Sequence, residues 1–194
     1  MNWISNIDIL DSHLRLLSIR DGAGQEIDPD NAFRKWRDYS LHIREQRKTV
    51  YLIGNGASAS MASHVAADLA KNAHIHAQVF SDLSLITSIA NDLGYEDVFA
   101  EPIRRRMLEG DMLITISSSG QSPNILRAAK EAKSRGGLVI TLSAMNPENS
   151  LRKQGILNFY VPAENYGMSE TCHAAILHYW IDQVISEKRN SGKQ

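Results

Sequence analysis

A three-layer α/β sandwich around five parallel strands is the fold that the sequence predicts, and two observations carry that reading. Short β-rich runs recur at 49–53, 77–80, 111–116, 138–142 and 158–161, each followed by polar or small residues, and most are separated by segments long enough for a helix. That alternation is the pattern of βαβ units. Parallel strands are covered on both faces, so they read as apolar without strict alternation, as Tyr51-Leu52-Ile53 and Leu138-Val139-Ile140 do. With 194 residues the chain can bury one sizeable core and is too short for two ordinary domains.

Residues 1–48 do not fit a βαβ unit and form a separate helical segment ahead of the domain at 49–187. Ile4, Ile7, Leu10, Leu14 and Leu17 recur at helical spacing, and Phe33, Trp36, Tyr39, Leu41 and Ile43 predict a second helix after the turn-rich DGAGQEIDPDN. Both helices need a surface for their apolar stripes. Capping the sheet and joining a second subunit are equally open. Residues 188–194 end a polar tail, SEKRNSGKQ, that is expected to fray.

Lys+Arg number 21 and Asp+Glu 22, so no long-range field favours nucleic acid or an anionic membrane, and any anion must be held locally. The one cysteine, Cys172, has no internal disulfide partner. The amino-terminal end lacks a basic-then-apolar leader and no apolar run approaches bilayer length, so a soluble, cytoplasmic protein is expected. Arg104-Arg105-Arg106, beside Ile103 and Met107, reads as a solvated or interface face, three arginines being too few for nucleic-acid binding. Met61, Met107, Met112, Met145 and Met168 read as gap fillers, and Trp36 and Trp180 as helix packing.

Two loops follow predicted strands. ITISSSGQSPNI runs from a strand end into the helical pattern of Ile125, Leu126, Ala129 and Ala132, with Ser122 suited to the N-cap and Pro123 to the first helical position. Free N–H groups and the helix dipole attract a phosphate there, and Ser117, Ser119 and Ser122 can donate hydroxyl hydrogen bonds. By itself the pattern is equally an ordinary capped turn. The second loop, Gly54-Asn55-Gly56-Ala57-Ser58, leads into a helical pattern at 61–70 and permits close backbone approach. Together the two form the kind of crevice in which open α/β sheets bind ligands.

GNGASASMASHVAADL, SIANDLGYEDVF, EGDMLITISSSGQSPNILRA and SETCHAAILHYWIDQVI occur in that order. Over roughly residues 30–187 they resemble the phosphoheptose isomerase family of the sugar isomerase (SIS) domain superfamily. The resemblance implies a flavodoxin-like strand order, a phosphosugar substrate and a homotetramer with active sites between subunits, which would also give the amino-terminal helices their partners. Carried over by motif, Ser117, Ser118, Ser119 and Ser122 hold the substrate phosphate. Asn55, Gly56, Ala57, Ser58, Asn91, Asp92 and Glu170 complete the substrate site.

His64 and Asp68, four apart, share a helix face and make either a metal-ligand fragment or an exposed hydrogen bond, the latter favoured by spacing alone. Glu170 and His178 are eight apart, which on an unbroken helix is about 12 Å and near 80°. One ion cannot reach both, so either Glu170 precedes the helix and folds back or two subunits share the site. Glu170 with His173 is a rival pair; His74 and His76 read as surface or partly buried histidines. In the resembled family, a helix His, a Glu four later, and a Gln and a His eight apart in the last helix bind zinc, with the Glu and the last His in acid–base roles. At those positions stand His64, Asp68, Glu170 and His178, implying a divalent metal, zinc by preference, with Asp68, Glu170 and His178 catalytic.

Two of the four are changed. Asp68 is one methylene shorter, and reactive geometry is sensitive to about 1 Å; Glu170 replaces a neutral amide and is expected to compensate in part. The expected reaction is sedoheptulose 7-phosphate to D-glycero-D-manno-heptose 7-phosphate, for surface-polysaccharide heptose. The alternative is a non-catalytic phosphosugar sensor or replication-associated scaffold. Tyr166 and Gly167 are expected to form a turn that aims Glu170.

Overall fold

The computed structural model describes residues 2–191, with side chains through residue 186. The five predicted strands are present, each within one residue of expectation: β3 (Thr49–Gly54), β4 (His76–Val79), β5 (Met112–Ser117), β6 (Leu138–Ser143) and β7 (Leu157–Tyr160). They pair in parallel in the order β7-β6-β5-β3-β4, the flavodoxin-like arrangement.

Among the described residues the sheet has seven strands, however, not five. The stretch around DGAGQEIDPDN is a hairpin, β1 (Ser18–Asp21) and β2 (Glu26–Ile27), and β1 runs antiparallel to β7. Its turn is held by Asp21, whose carboxylate accepts from the Ala23 and Gln25 backbone N–H groups at 2.9 Å each. A four-residue strand with only Ile19 fully buried carries too little periodicity to reveal itself. It exists because β7 offers an open edge.

Helices cover both faces. On one lie α2 (Pro29–Glu45), α3 (Ala57–Asp68) and α7 (Tyr166–Ser191), closing over Leu52, Met112, Ile114, Ile140 and Phe159. On the other lie α4 (Leu83–Asp92), α5 (Ala100–Arg106) and α6 (Pro123–Ser134), over Tyr51, Ile53, Leu113 and Val139. The alternation of Leu52 and Ile53 between the two clusters is the period of a doubly covered strand. Trp36 of α2 and Trp180 of α7 stack at 4.2 Å between ring centroids, and the Trp180 indole donates to Ser40 at 3.1 Å. The second predicted helix therefore caps the sheet.

The first, α1 (Trp3–Arg15), buries none of its residues; Trp3 is 72% and Ile4 66% exposed. Among the described residues no helix is long and apolar enough to cross a membrane. Helix α7 continues through Ser191, past the expected start of the tail at 188, and the last three positions lie outside the described residues.

Candidate active site

Strand β3 turns into α3 at once, because Gly54 lacks a side chain: a Cβ there would lie 2.6 Å from Ser58 Cβ and 2.7 Å from its backbone. Gly56, at φ 56°, forms the N-cap without a side-chain cap bond. The serine loop is built similarly between β5 and α6. Ser122 is the N-cap and Pro123 opens the helix; Ser122 makes no side-chain cap bond, and its Oγ lies 3.5 Å from that of Ser117. The carbonyls of Ser117, Ser118 and Gly120 accept from the N–H groups of Gly120, Ala144 and Leu151 at 2.9–3.0 Å. Oxygens that would repel an anion are thereby engaged within the protein. Gly120 sits at φ 61°, and a Cβ on it would fall 2.1 Å from Asn149 Oδ1.

Ser117, Ser118, Ser119 and Ser122 line one cavity of about 160 Å³, together with Asn55, Ser58, Ile116, Tyr166 and Glu170. The expected phosphate serines, Asn55, Ser58 and Glu170 are thus in one place. Gly56 lines a neighbouring, mostly apolar cavity of about 320 Å³ that shares Asn55. Ala57, Asn91 and Asp92 line neither, and Asn91 donates instead to its neighbour Asp92 at 2.8 Å.

A second constellation lies on the outer faces of α3 and α7. His64 Nε2 is 3.4 Å from Asp68 Oδ2, and the His64 and His178 rings are 5.4 Å apart. One ligand atom from each of His64, Asp68 and His178 lies within 4.8 Å of the others. Bonds of about 2.0–2.1 Å in a tetrahedral zinc site imply a ligand–ligand edge of roughly 3.4 Å. Two imidazoles and a carboxylate at these separations, open to solvent, fit a divalent ion with modest adjustment. The other Asp68 oxygen accepts from Asn72 Nδ2 at 3.2 Å; Asn72 belongs to a single π-helical turn, Leu69–Ala73, that prolongs α3.

Glu170 is not in this group. Because α7 begins at Tyr166, Glu170 is inside the helix rather than folded back from ahead of it, and Tyr166 and Gly167 are its first turn rather than a separate aiming turn. It stands about 12 Å along the axis from His178. His173 does not rescue the rival pairing: its ring is fully buried, and neither nitrogen has a partner of hydrogen-bonding geometry. Desolvation pushes it down to about 4, against a weaker opposing influence of the Ser143 backbone. His74 is an exposed helix cap, and His76 Nδ1 meets Thr49 Oγ1 at 3.1 Å on an edge strand.

The model of the SIS domain family matches residues 30–144. The phosphoheptose isomerase of Helicobacter pylori is 33% identical over 150 residues, spanning 74% of this chain and 78% of the relative. The chain belongs to the phosphoheptose isomerase family of SIS-domain proteins. That of a Nitratiruptor species is 39% identical over 123 residues, 55% of this chain and 66% of the relative. The solved structure of a phosphoheptose isomerase from Neisseria gonorrhoeae superposes with a TM-score of 0.72 at 28% identity, over 79% of this chain and 86% of that one. The protein is an isomerase, as the resemblance implied, and the non-catalytic reading gives way.

Sequence reasoning missed four residues that shape this region: Tyr95, Asn72, Asn124 and Asn149. Asn124 directly follows the Ser-Pro cap and Asn72 lies four after Asp68, spacings that could have flagged them; Tyr95 and Asn149 act across the fold and leave no local signal.

Proposed function

We propose that this isomerase interconverts sedoheptulose 7-phosphate and D-glycero-D-manno-heptose 7-phosphate, with the serine cavity holding the phosphate and the flanking carboxylates and His178 moving the proton. The observation that carries this reading is the convergence of four serines at the amino end of α6, with a carboxylate on the same wall. Serine hydroxyls and helix N–H groups suit a phosphate, whereas Glu170 would repel one. Glu170 therefore belongs beside the sugar carbons, with the phosphate towards Ser119 and Ser122.

Ketose–aldose interconversion needs a base for the proton alpha to the carbonyl and an acid for the carbonyl oxygen. Two carboxylates can be the base. Glu170 is on the cavity wall, while Asp68 is steadied by Asn72 on one oxygen and faces His64 with the other. His178 is the acid partner. His64, Asp68 and His178 would hold a divalent ion, zinc by their chemistry, and when bound it polarises the carbonyl and orients the adjacent hydroxyl.

Since Glu170 and His178 are far apart on one helix, the reading calls for a second copy of the chain to bring a trio to each serine cavity. Leu10, Leu14 and Leu17 pack against this chain's own core, but Trp3, Ile4 and Ile7 of α1 are left exposed and support such an assembly, with a homotetramer as the expected form. A cytoplasmic enzyme supplying heptose for surface polysaccharide is the setting this implies.

The test is NMR observation of exchange between the ketose and aldose phosphates with zinc-loaded protein. Exchange that is lost in both Glu170→Ala and Asp68→Asn supports a shared site. No exchange with this substrate in the unsubstituted protein overturns the assignment.

A further inference from the structure

The two loops are joined by a reciprocal pair of amides. Asn55 Nδ2 donates to Asn124 Oδ1 at 3.1 Å, and Asn124 Nδ2 donates to Asn55 Oδ1 at 2.9 Å. Asn124, on the first turn of α6, is only 2% exposed. Its Oδ1 also accepts from the backbone N–H of Ile125 at 3.0 Å. A backbone N–H can only donate, so it sets which end of the Asn124 amide is oxygen, and Asn124 in turn sets the polarity of Asn55. Tyr95, in the turn after α4, donates its hydroxyl to the same Asn55 Oδ1 at 3.3 Å.

An amide oxygen has two lone-pair directions and an amide nitrogen two hydrogens. Asn55 Oδ1 is therefore filled by Asn124 and Tyr95, and one Nδ2 hydrogen is used by Asn124. A single N–H remains for the cleft, whose serine cavity and apolar neighbour Asn55 lines at once.

We propose that Asn124 and Tyr95 are positioning residues that make Asn55 a donor only, so that this point of the site accepts a sugar oxygen presenting lone pairs, a carbonyl or the acceptor side of a hydroxyl. Without the clamp, rotation about the Asn55 side chain would exchange donor for acceptor at almost no steric cost. With it, the amide direction is settled before a ligand arrives, which removes an ordering cost from binding. A donor held towards an oxygen that gains negative charge during enolisation also favours the transition state. This inference rests on the proposed placement of Asn55 at the sugar.

The test is a double-mutant cycle on binding, read by calorimetry with sedoheptulose 7-phosphate and, separately, inorganic phosphate. Asn124→Ala removes both amide contacts to Asn55 without placing a charge at the amino end of α6, and the Ile125 N–H keeps its bond to the Ser122 carbonyl at 3.1 Å. It should weaken sugar phosphate binding by about 10-fold or more while inorganic phosphate changes by less than about 2-fold, from the cost of one lost oriented hydrogen bond. In an Asn55→Ala background the same substitution should add less than about 2-fold, because nothing is left to position. Tyr95→Phe, on the surface, should show the same pattern at about 2- to 5-fold and serves where Asn124→Ala does not fold.

Additive effects in the cycle, or equal losses for both ligands, would overturn the clamp. Sugar phosphate binding without turnover in the unsubstituted protein would count against the proposed reaction alone.

Discussion

The serine cradle and the His64–Asp68–His178 trio are built in opposite ways. The cradle is made of backbone and small buried side chains: Ser117 and Ser118 are nearly inaccessible, Asn149 fills the space above Gly120, and an amide pair ties the loop to its neighbour. The trio is made of side chains on exposed helix faces, and the His64 side chain is 59% exposed. The cradle is organised before any ligand binds. Three partly or largely exposed side chains, their ligand atoms within 4.8 Å of one another, would be drawn into a tighter arrangement by an ion that they enclose. On the proposed reading the phosphate end of the site is thus pre-formed, and the chemical end would depend on occupancy and assembly.

The largest effect that would break this division is expected in the trio. His178→Ala and Asp68→Ala should lower kcat by about 10²- to 10⁴-fold, the usual contribution of a positioned acid or base. They should also weaken zinc affinity measured without substrate. Inorganic phosphate affinity should stay unchanged in both. A parallel fall in phosphate affinity would mean that the two regions form one cooperative unit, and the contrast would be lost.

A smaller effect is expected on the other side. Gly120→Ala imposes a left-handed backbone on a residue with a side chain, costing about 1–2 kcal/mol, and it drives a methyl into Asn149. Urea unfolding should show that loss. Phosphate affinity should fall while zinc affinity of the trio is retained. Unchanged phosphate binding would show that the cradle tolerates rearrangement and is less pre-formed than its packing implies.

How much of this was legible beforehand follows the same division. The parallel core was readable because β5 and β6 are apolar runs bounded by turn residues, and the serine loop because Ser122 and Pro123 are local signals of a helix start. The hairpin β1–β2 was hidden, since its pairing partner β7 lies far along the chain. His64 and Asp68 were legible as an i,i+4 pair, and the position of His178 beside them came only through the resemblance. Glu170 was expected with the trio and lies in the cradle cavity. Spacing allows that distinction only once α7 is known to be continuous through it. The Asn55–Asn124 pair joins two loops that no periodicity connects.

The effect that is smallest at neutral pH concerns His173, which lies on α7 between Glu170 and His178. Its unfolded imidazole titrates near 6.5, and desolvation pushes the folded one down to about 4. The folded state therefore binds fewer protons across that interval. Its contribution to stability is complete above about pH 6.5 and is lost as pH falls towards 4, at up to roughly 1 kcal/mol per pH unit. Urea midpoints taken across this range should drop more steeply for the unsubstituted protein than for His173→Leu, which cannot take up the proton. At neutral pH the leucine variant should be close to the parent in stability, because two unpartnered nitrogens leave the core with the ring. Equal slopes for the two proteins would refute the assignment. A steeper parental slope accompanied by loss of phosphate and zinc binding at a higher pH than in His173→Leu would show that α7, loosened at its middle, is the element on which cradle and trio both depend.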